Sequence, residues 1–109
     1  MEWLVHVRIK PPHTASADEI AQRTRIETER AEAMSREGHL VRVWRIPGEW
    51  ANWGLWSAGD ATELHALLST LPLYKWADVT VHPLAQHPID PVALRAASEA
   101  ASDRGPAER

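Results

Sequence analysis

The sequence predicts an α+β domain of order β-α-β-β-α-β, on three observations. The first ten residues alternate between apolar and polar with a period of two. Two helix-start signatures, Ser16 with Glu19 and Asp60 with Glu63, each precede an apolar stripe. Pro47, Gly48 and Glu49 separate two short strand-like runs, the spacing of a hairpin.

In the first run Trp3, Val5, Val7 and Ile9 alternate with Leu4, His6, Arg8 and Lys10, so one face of a strand is apolar, and Pro11 and Pro12 stop it. Ser16 or Asp18 caps the helix that follows, which reaches about Glu37 and is terminated by Gly38. Residues 40–46 and 50–57 then form an antiparallel hairpin. Asp60, after Gly59, opens a second helix whose apolar face is Leu64, Leu67, Leu68 and Leu71, ended by Pro72. A fourth strand is expected over residues 75–84, with Ala77, Val79 and Val81 facing one way and Trp76, Asp78, Thr80 and His82 the other.

This order is the split, ferredoxin-like motif: an antiparallel sheet with both helices on one face. The second face is left bare, and with Trp residues in the third strand it is expected to meet another sheet or subunit. Size points the same way, because a chain of 109 residues buries only ~60–65% of the surface it exposes when unfolded. Six Trp beside no Phe and one Tyr are bulky apolar groups, each with an N–H to satisfy, and suit an interface or a pocket. The domain is expected to occupy residues 1–88. Residues 89–109 read as an arm: an Ala-rich stretch at 92–101 forms a short helix or lies on a neighbouring subunit, and residues 102–109 fray.

Composition removes several classes of function. Without Cys there are no disulfides, zinc thiolates or cysteine nucleophiles. A formal net charge of −3, with no dense run of Lys or Arg, argues against a nucleic-acid surface. No stretch approaches the ~20 apolar residues of a membrane span, and the first ten residues read as a strand, so a cytoplasmic protein is expected. The chain has no HExxH, no close His pair on one helix face and no glycine-rich phosphate loop, so no cofactor or metal is expected. Proton transfer assisted by fixed donors is the chemistry this inventory can run.

Glu27 is the first candidate for it. Ile20, Thr24, Ala31 and Met34 recur at helical spacing and Glu27 stands in the middle of their stripe. Either the carboxylate faces the interior, where burial raises its pKa toward that of a general base, or it lies at a wet edge paired with Arg23 or Arg30. His6 and Arg8 share one strand face and either line a pocket, Arg8 clamping a carboxylate, or are solvated. Asn52 shares a face with Trp50, Gly54 and Trp56; it is an oxyanion donor or a satisfied edge amide, and Gly54 makes room for a ligand or for a Trp. Of Arg42 and Arg45, on opposite faces, Arg45 lies with Val41 and Val43 and is the one expected inward against Glu27 or a ligand. His65 reads as a boundary histidine; His82 and His87 either approach a pocket at the sheet edge or order the chain exit.

Several runs together resemble one family. Leu64-His65-Ala66-Leu67-Leu68-Ser69-Thr70-Leu71-Pro72-Leu73-Tyr74 is similar to the second helix and exit of muconolactone Δ-isomerases. Asp78-Val79-Thr80-Val81-His82-Pro83-Leu84-Ala85-Gln86-His87-Pro88 is similar to their last strand and its Pro-Leu-Ala-x-His-Pro ending. His6-Val7-Arg8, Trp44-Arg45 and Ala51-Asn52-Trp53 also match, so the likeness spans about residues 3–88. The resemblance implies a subunit that pairs into a dimeric α+β barrel, commonly a decamer of five dimers. It also implies cofactor-free conversion of muconolactone to 3-oxoadipate enol-lactone in the β-ketoadipate pathway of aromatic catabolism.

On that reading Glu27 is the proton shuttle, Asn52 or His6 the oxyanion donor, Arg8 or Arg45 the partner of the substrate carboxylate, and Trp50, Trp56 and His82 contact the substrate. Departures from the family pattern are Arg25-Ile26-Glu27-Thr28-Glu29 on the first helix, Trp50, Trp53 and Trp56, and a longer tail; they bear on which lactone fits. The alternatives are another cofactor-free reaction on the same barrel (dehalogenation, oxygenation or cyclisation) and a non-catalytic oligomeric binding domain.

Overall fold

The computed structural model describes residues 1–104. Its elements are β1 (Glu2–Ile9), α1 (Ala17–Arg36), β2 (Leu40–Arg45), β3 (Ala51–Ser57), α2 (Ala61–Ser69), a 3-10 turn (Tyr74–Trp76), β4 (Ala77–Leu84) and α3 (Pro91–Arg104). The strands form one antiparallel sheet in the order β2-β3-β1-β4, the split arrangement expected from the sequence.

Local chemistry sets the helix boundaries. The Ser16 hydroxyl accepts from the Glu19 N–H at 3.1 Å, satisfying one of the free donors at the start of α1. At its other end Gly38 has φ +85°, which lets its N–H reach the Ser35 carbonyl while the His39 N–H reaches that of Met34. That pair of bonds is a Schellman closure, and a side chain at Gly38 would strain it. On α2 the Asp60 carboxylate accepts from the Glu63 N–H at 2.8 Å, and Glu63 reaches back to the Gly59 N–H at 3.2 Å.

The core lies between the helices and one sheet face. Trp3 and Val5 of β1, Trp56 of β3, Met34 of α1, and Leu64 and Leu68 of α2 are buried together with Ala58. Ile9, Leu73 and Trp76 form a second cluster with Val7, Ala15 and Ile20 at its margin. The opposite face carries His6 and Arg8 across from Trp53 and Ala51, with Trp44, Thr80 and His82 on the flanking strands. Trp44 is 43% exposed there.

Three strand ends of β2–β4 differ from expectation, β2 stopping one residue early, at Arg45. Lys75 and Trp76 belong to the 3-10 turn, not to β4, and the turn rotates Trp76 into the cluster with Ile9 rather than onto the face of Asp78 and Thr80. Trp50 precedes β3, although its carbonyl still accepts from the Ile9 N–H at 2.9 Å. In the arm, α3 runs to Arg104, and residues 105–109 of the segment expected to fray lie outside the described residues. Ile89, Val92 and Leu94, leading into and along α3, are exposed.

Candidate active site

A cavity of about 480 Å³ separates α1 from the sheet. It exists because the inward side of α1 is too small to fill the space: only Met34 of that stripe is buried, and Thr24, Glu27 and Ala31 stop short. Thr24 and Thr28 line the space but spend their hydroxyls on their own helix, donating to the Ile20 and Thr24 carbonyls at 2.7 and 3.0 Å. Val7, Asn52 and Val79 line the cavity from the sheet.

Glu27 is the acid on this surface with a distinct environment. Its Oε1 accepts from the Leu73 N–H at 3.0 Å. Burial pushes its pKa above the ordinary carboxylate value, and the Leu73 N–H opposes that rise without cancelling it. Neither arginine that might have neutralised it does so. Arg23 donates to Glu19 at 3.4 Å and to the Pro72 carbonyl at 3.1 Å and lies over the Trp76 ring at 4.8 Å, while Arg30 donates to the Thr70 hydroxyl at 3.2 Å. Among the described residues Glu27 forms no ion pair.

Asn52 and Arg45 reach the same cavity by register. Arg45 stands opposite Asn52 on the β2-β3 ladder, and Asn52 stands opposite Val7 on the β1-β3 ladder, so all three share the helix side of the sheet. Arg45 is exposed at the rim and, among the described residues, carries no ion pair. Trp50 and Trp56 also line the space. A Cβ on Gly54 would fall 2.7 Å from Trp56 Nε1, so the room that this glycine leaves is taken by an indole.

The fold does not bring His6, Arg8 or His82 to this cavity. They lie on the other face, because strand residues alternate and Val7 and Val81, their neighbours, take the helix side. There His6 meets the Trp53 ring edge-on at 4.8 Å, and Trp53 lies 6.0 Å from the His82 ring. The Arg8 guanidinium is already paired with Glu49. His65 is exposed and edge-on to Tyr74 at 6.3 Å, and His87 accepts from the Ile89 N–H at 3.1 Å where the chain turns toward α3.

Sequence reasoning passed over Tyr74, Glu32 and Ser35, which line the cavity. Tyr74 is the sole tyrosine and follows the Leu-Pro-Leu exit of α2, a signal that was present in the sequence. Glu32 and Ser35 lie one turn or more beyond Glu27 on α1 and needed the helix rotation to be known.

Known proteins similar to this chain fall in one family. The family model described as muconolactone delta-isomerase matches residues 1–90. The muconolactone delta-isomerase of Cupriavidus pinatubonensis is 38% identical over 91 residues, covering 81% of this chain and 96% of that protein. That of Pseudomonas aeruginosa is 32% identical over 87 residues, covering 78% and 91%. A crystal structure of muconolactone isomerase superposes with a TM-score of 0.77 at 31% identity, over 83% of this chain and 94% of that one.

Proposed function

The chain belongs to the muconolactone delta-isomerase family, and we propose that it isomerises muconolactone in the cavity beneath α1 by proton transfer through Glu27. The observation that carries the assignment is the Glu27 carboxylate itself: turned to the cavity, pushed up in pKa by burial and free of any cationic partner among the described residues.

The carbonyl of an unsaturated lactone acidifies the proton at its γ carbon. Glu27 takes that proton, the charge spreads through a dienolate to the carbonyl oxygen, and the same carboxyl returns a proton at the α carbon. The ring double bond moves and the substrate's composition is unchanged. The Asn52 amide is suited to donate to the enolate oxygen, and Arg45 at the rim to hold the side-chain carboxylate in a bidentate pair. A positioned base typically contributes ~10²–10⁴-fold and one oxyanion donor ~10²–10³-fold, so two such groups support the reaction without a cofactor. The indoles of Trp50 and Trp56 shape the space around the ring.

The face carrying Trp44, Trp53 and Leu55 is the natural seat of a second copy, giving a dimeric α+β barrel that assembles further. On this reading His6, Arg8 and His82 serve the subunit contact. No described helix is long and apolar enough to cross a membrane, and the reaction is assigned to the cytoplasm.

Muconolactone incubated with the protein in deuterated buffer and followed by proton NMR tests the reading. Conversion with partial deuterium incorporation at the α carbon is expected. Turnover by Glu27→Gln at the wild-type rate would refute the shuttle.

A further inference from the structure

One peptide group joins two residues of α1. The Pro72 carbonyl accepts from Arg23 Nη1 at 3.1 Å, and the N–H of the same peptide, on Leu73, donates to Glu27 Oε1 at 3.0 Å. Arg23 and Glu27 are four residues apart and so lie on one side of the helix, close enough for a direct ion pair. Instead the guanidinium is drawn away: its Nε donates to Glu19 at 3.4 Å and its plane rests over the buried Trp76.

We propose that Arg23 is a positioning residue for the proton transfer, acting on Glu27 through the Pro72-Leu73 peptide. The inference rests on Glu27 being the shuttle. A cation bonded to a peptide oxygen draws electron density from the nitrogen, so the N–H becomes a stronger donor and the two bonds reinforce each other. The Glu27 carboxylate is thereby held by Oε1, leaving Oε2 for the substrate. A direct Arg23-Glu27 pair would fix the carboxylate equally well but would depress its pKa by ~1–3 units and weaken the base. The interposed peptide supplies orientation and a graded stabilisation of the anion without full charge pairing. Arg30, one turn beyond Glu27, grips Thr70 of the same segment, so α1 holds the exit of α2 at three points.

The test is a direct titration of the Glu27 side-chain carboxyl by ¹³C NMR in the full chain, beside the pH profile of kcat/KM. The other titratable groups lining the cavity, Glu32, Arg45 and Tyr74, remain unchanged in every variant. In R23Q the Glu27 midpoint is expected to rise by roughly half a unit or more. The acid limb of kcat/KM should move the same way, and KM should stay within about twofold. R23M, whose straight stem still packs on Trp76, carries the same expectation should R23Q not fold. R23K, which keeps a cationic donor, restores most of the wild-type midpoint.

A folded R23Q or R23M with an unmoved Glu27 midpoint overturns the proposal, since a merely structural Arg23 would lower stability without moving the titration. The two readings fail separately. An active Glu27→Gln refutes the shuttle, whereas an unmoved midpoint beside an inactive Glu27→Gln refutes only the link through the peptide.

Discussion

His6 and Asn52 lie one register step apart on paired strands and point to opposite faces of the sheet, His6 across from Trp53 and Asn52 across from Val7. Chemistry and assembly should therefore separate by face. Asn52→Ala is expected to lower kcat on muconolactone by ~10²-fold with the sedimentation coefficient unchanged. Trp53→Glu, which puts a charge beside His6, is expected to lower the sedimentation coefficient. A Trp53→Glu protein that sediments like wild type would remove the open face from the subunit contact.

The stability of the protein should carry the signature of Glu27. Its folded-state pKa lies above its unfolded value because burial disfavours the anion. The native state is thus favoured by this group below the unfolded pKa, and the benefit is lost as pH rises through the folded pKa. Glu27→Gln, neutral at every pH, should therefore show a higher Tm than wild type at pH 8, with the gap closing toward pH 4. A gap that widens as pH falls would contradict the burial argument.

Arg45 is assigned to the substrate carboxylate, so its loss should appear in binding. Arg45→Met is expected to raise KM by ~10- to 100-fold with kcat within a few-fold, and Arg45→Lys to recover part of the loss, because an ammonium lacks the planar fork. A change confined to kcat would move Arg45 from substrate binding to the chemical step.

Gly54→Ala tests how tightly Trp56 is seated. The new Cβ would lie 2.7 Å from Trp56 Nε1, so the indole must shift within the packed cluster that also holds Trp3 and Val5. A loss of about 1–3 kcal/mol in thermal or denaturant unfolding is expected, with a lower kcat/KM as the cavity wall moves. Unchanged stability would mean that the ring relocates freely.

What the sequence disclosed was chiefly local. The Ser16 and Asp60 caps and the Gly38 closure are written within four residues of each helix end, and all three form as expected. Glu27 could be singled out because a carboxylate in an apolar helical stripe is a one-dimensional pattern. That Asn52 and Arg45 join Glu27 could not, because Asn52 is set beside Val7 by pairing between strands some forty residues apart, and that register is a tertiary property. Trp76 and Tyr74 were misjudged or missed for a related reason: a 3-10 turn, stabilised by burial of Trp76 against Ile9, replaces the first turn of the expected strand.

The strand order has a consequence for how the site comes into being. Each β-α-β half pairs none of its own strands: β1 bonds to β3 and β4, and β2 bonds only to β3. Glu27 and Arg45 lie in the first half, and Asn52, Trp56 and the Leu73 N–H in the second. A chain opened at the Gly48 turn would yield two pieces, neither able to form a sheet or a cavity alone. Recovery of turnover on mixing them would then count the interleaved pairs directly, with no partly assembled catalyst to blur the reading.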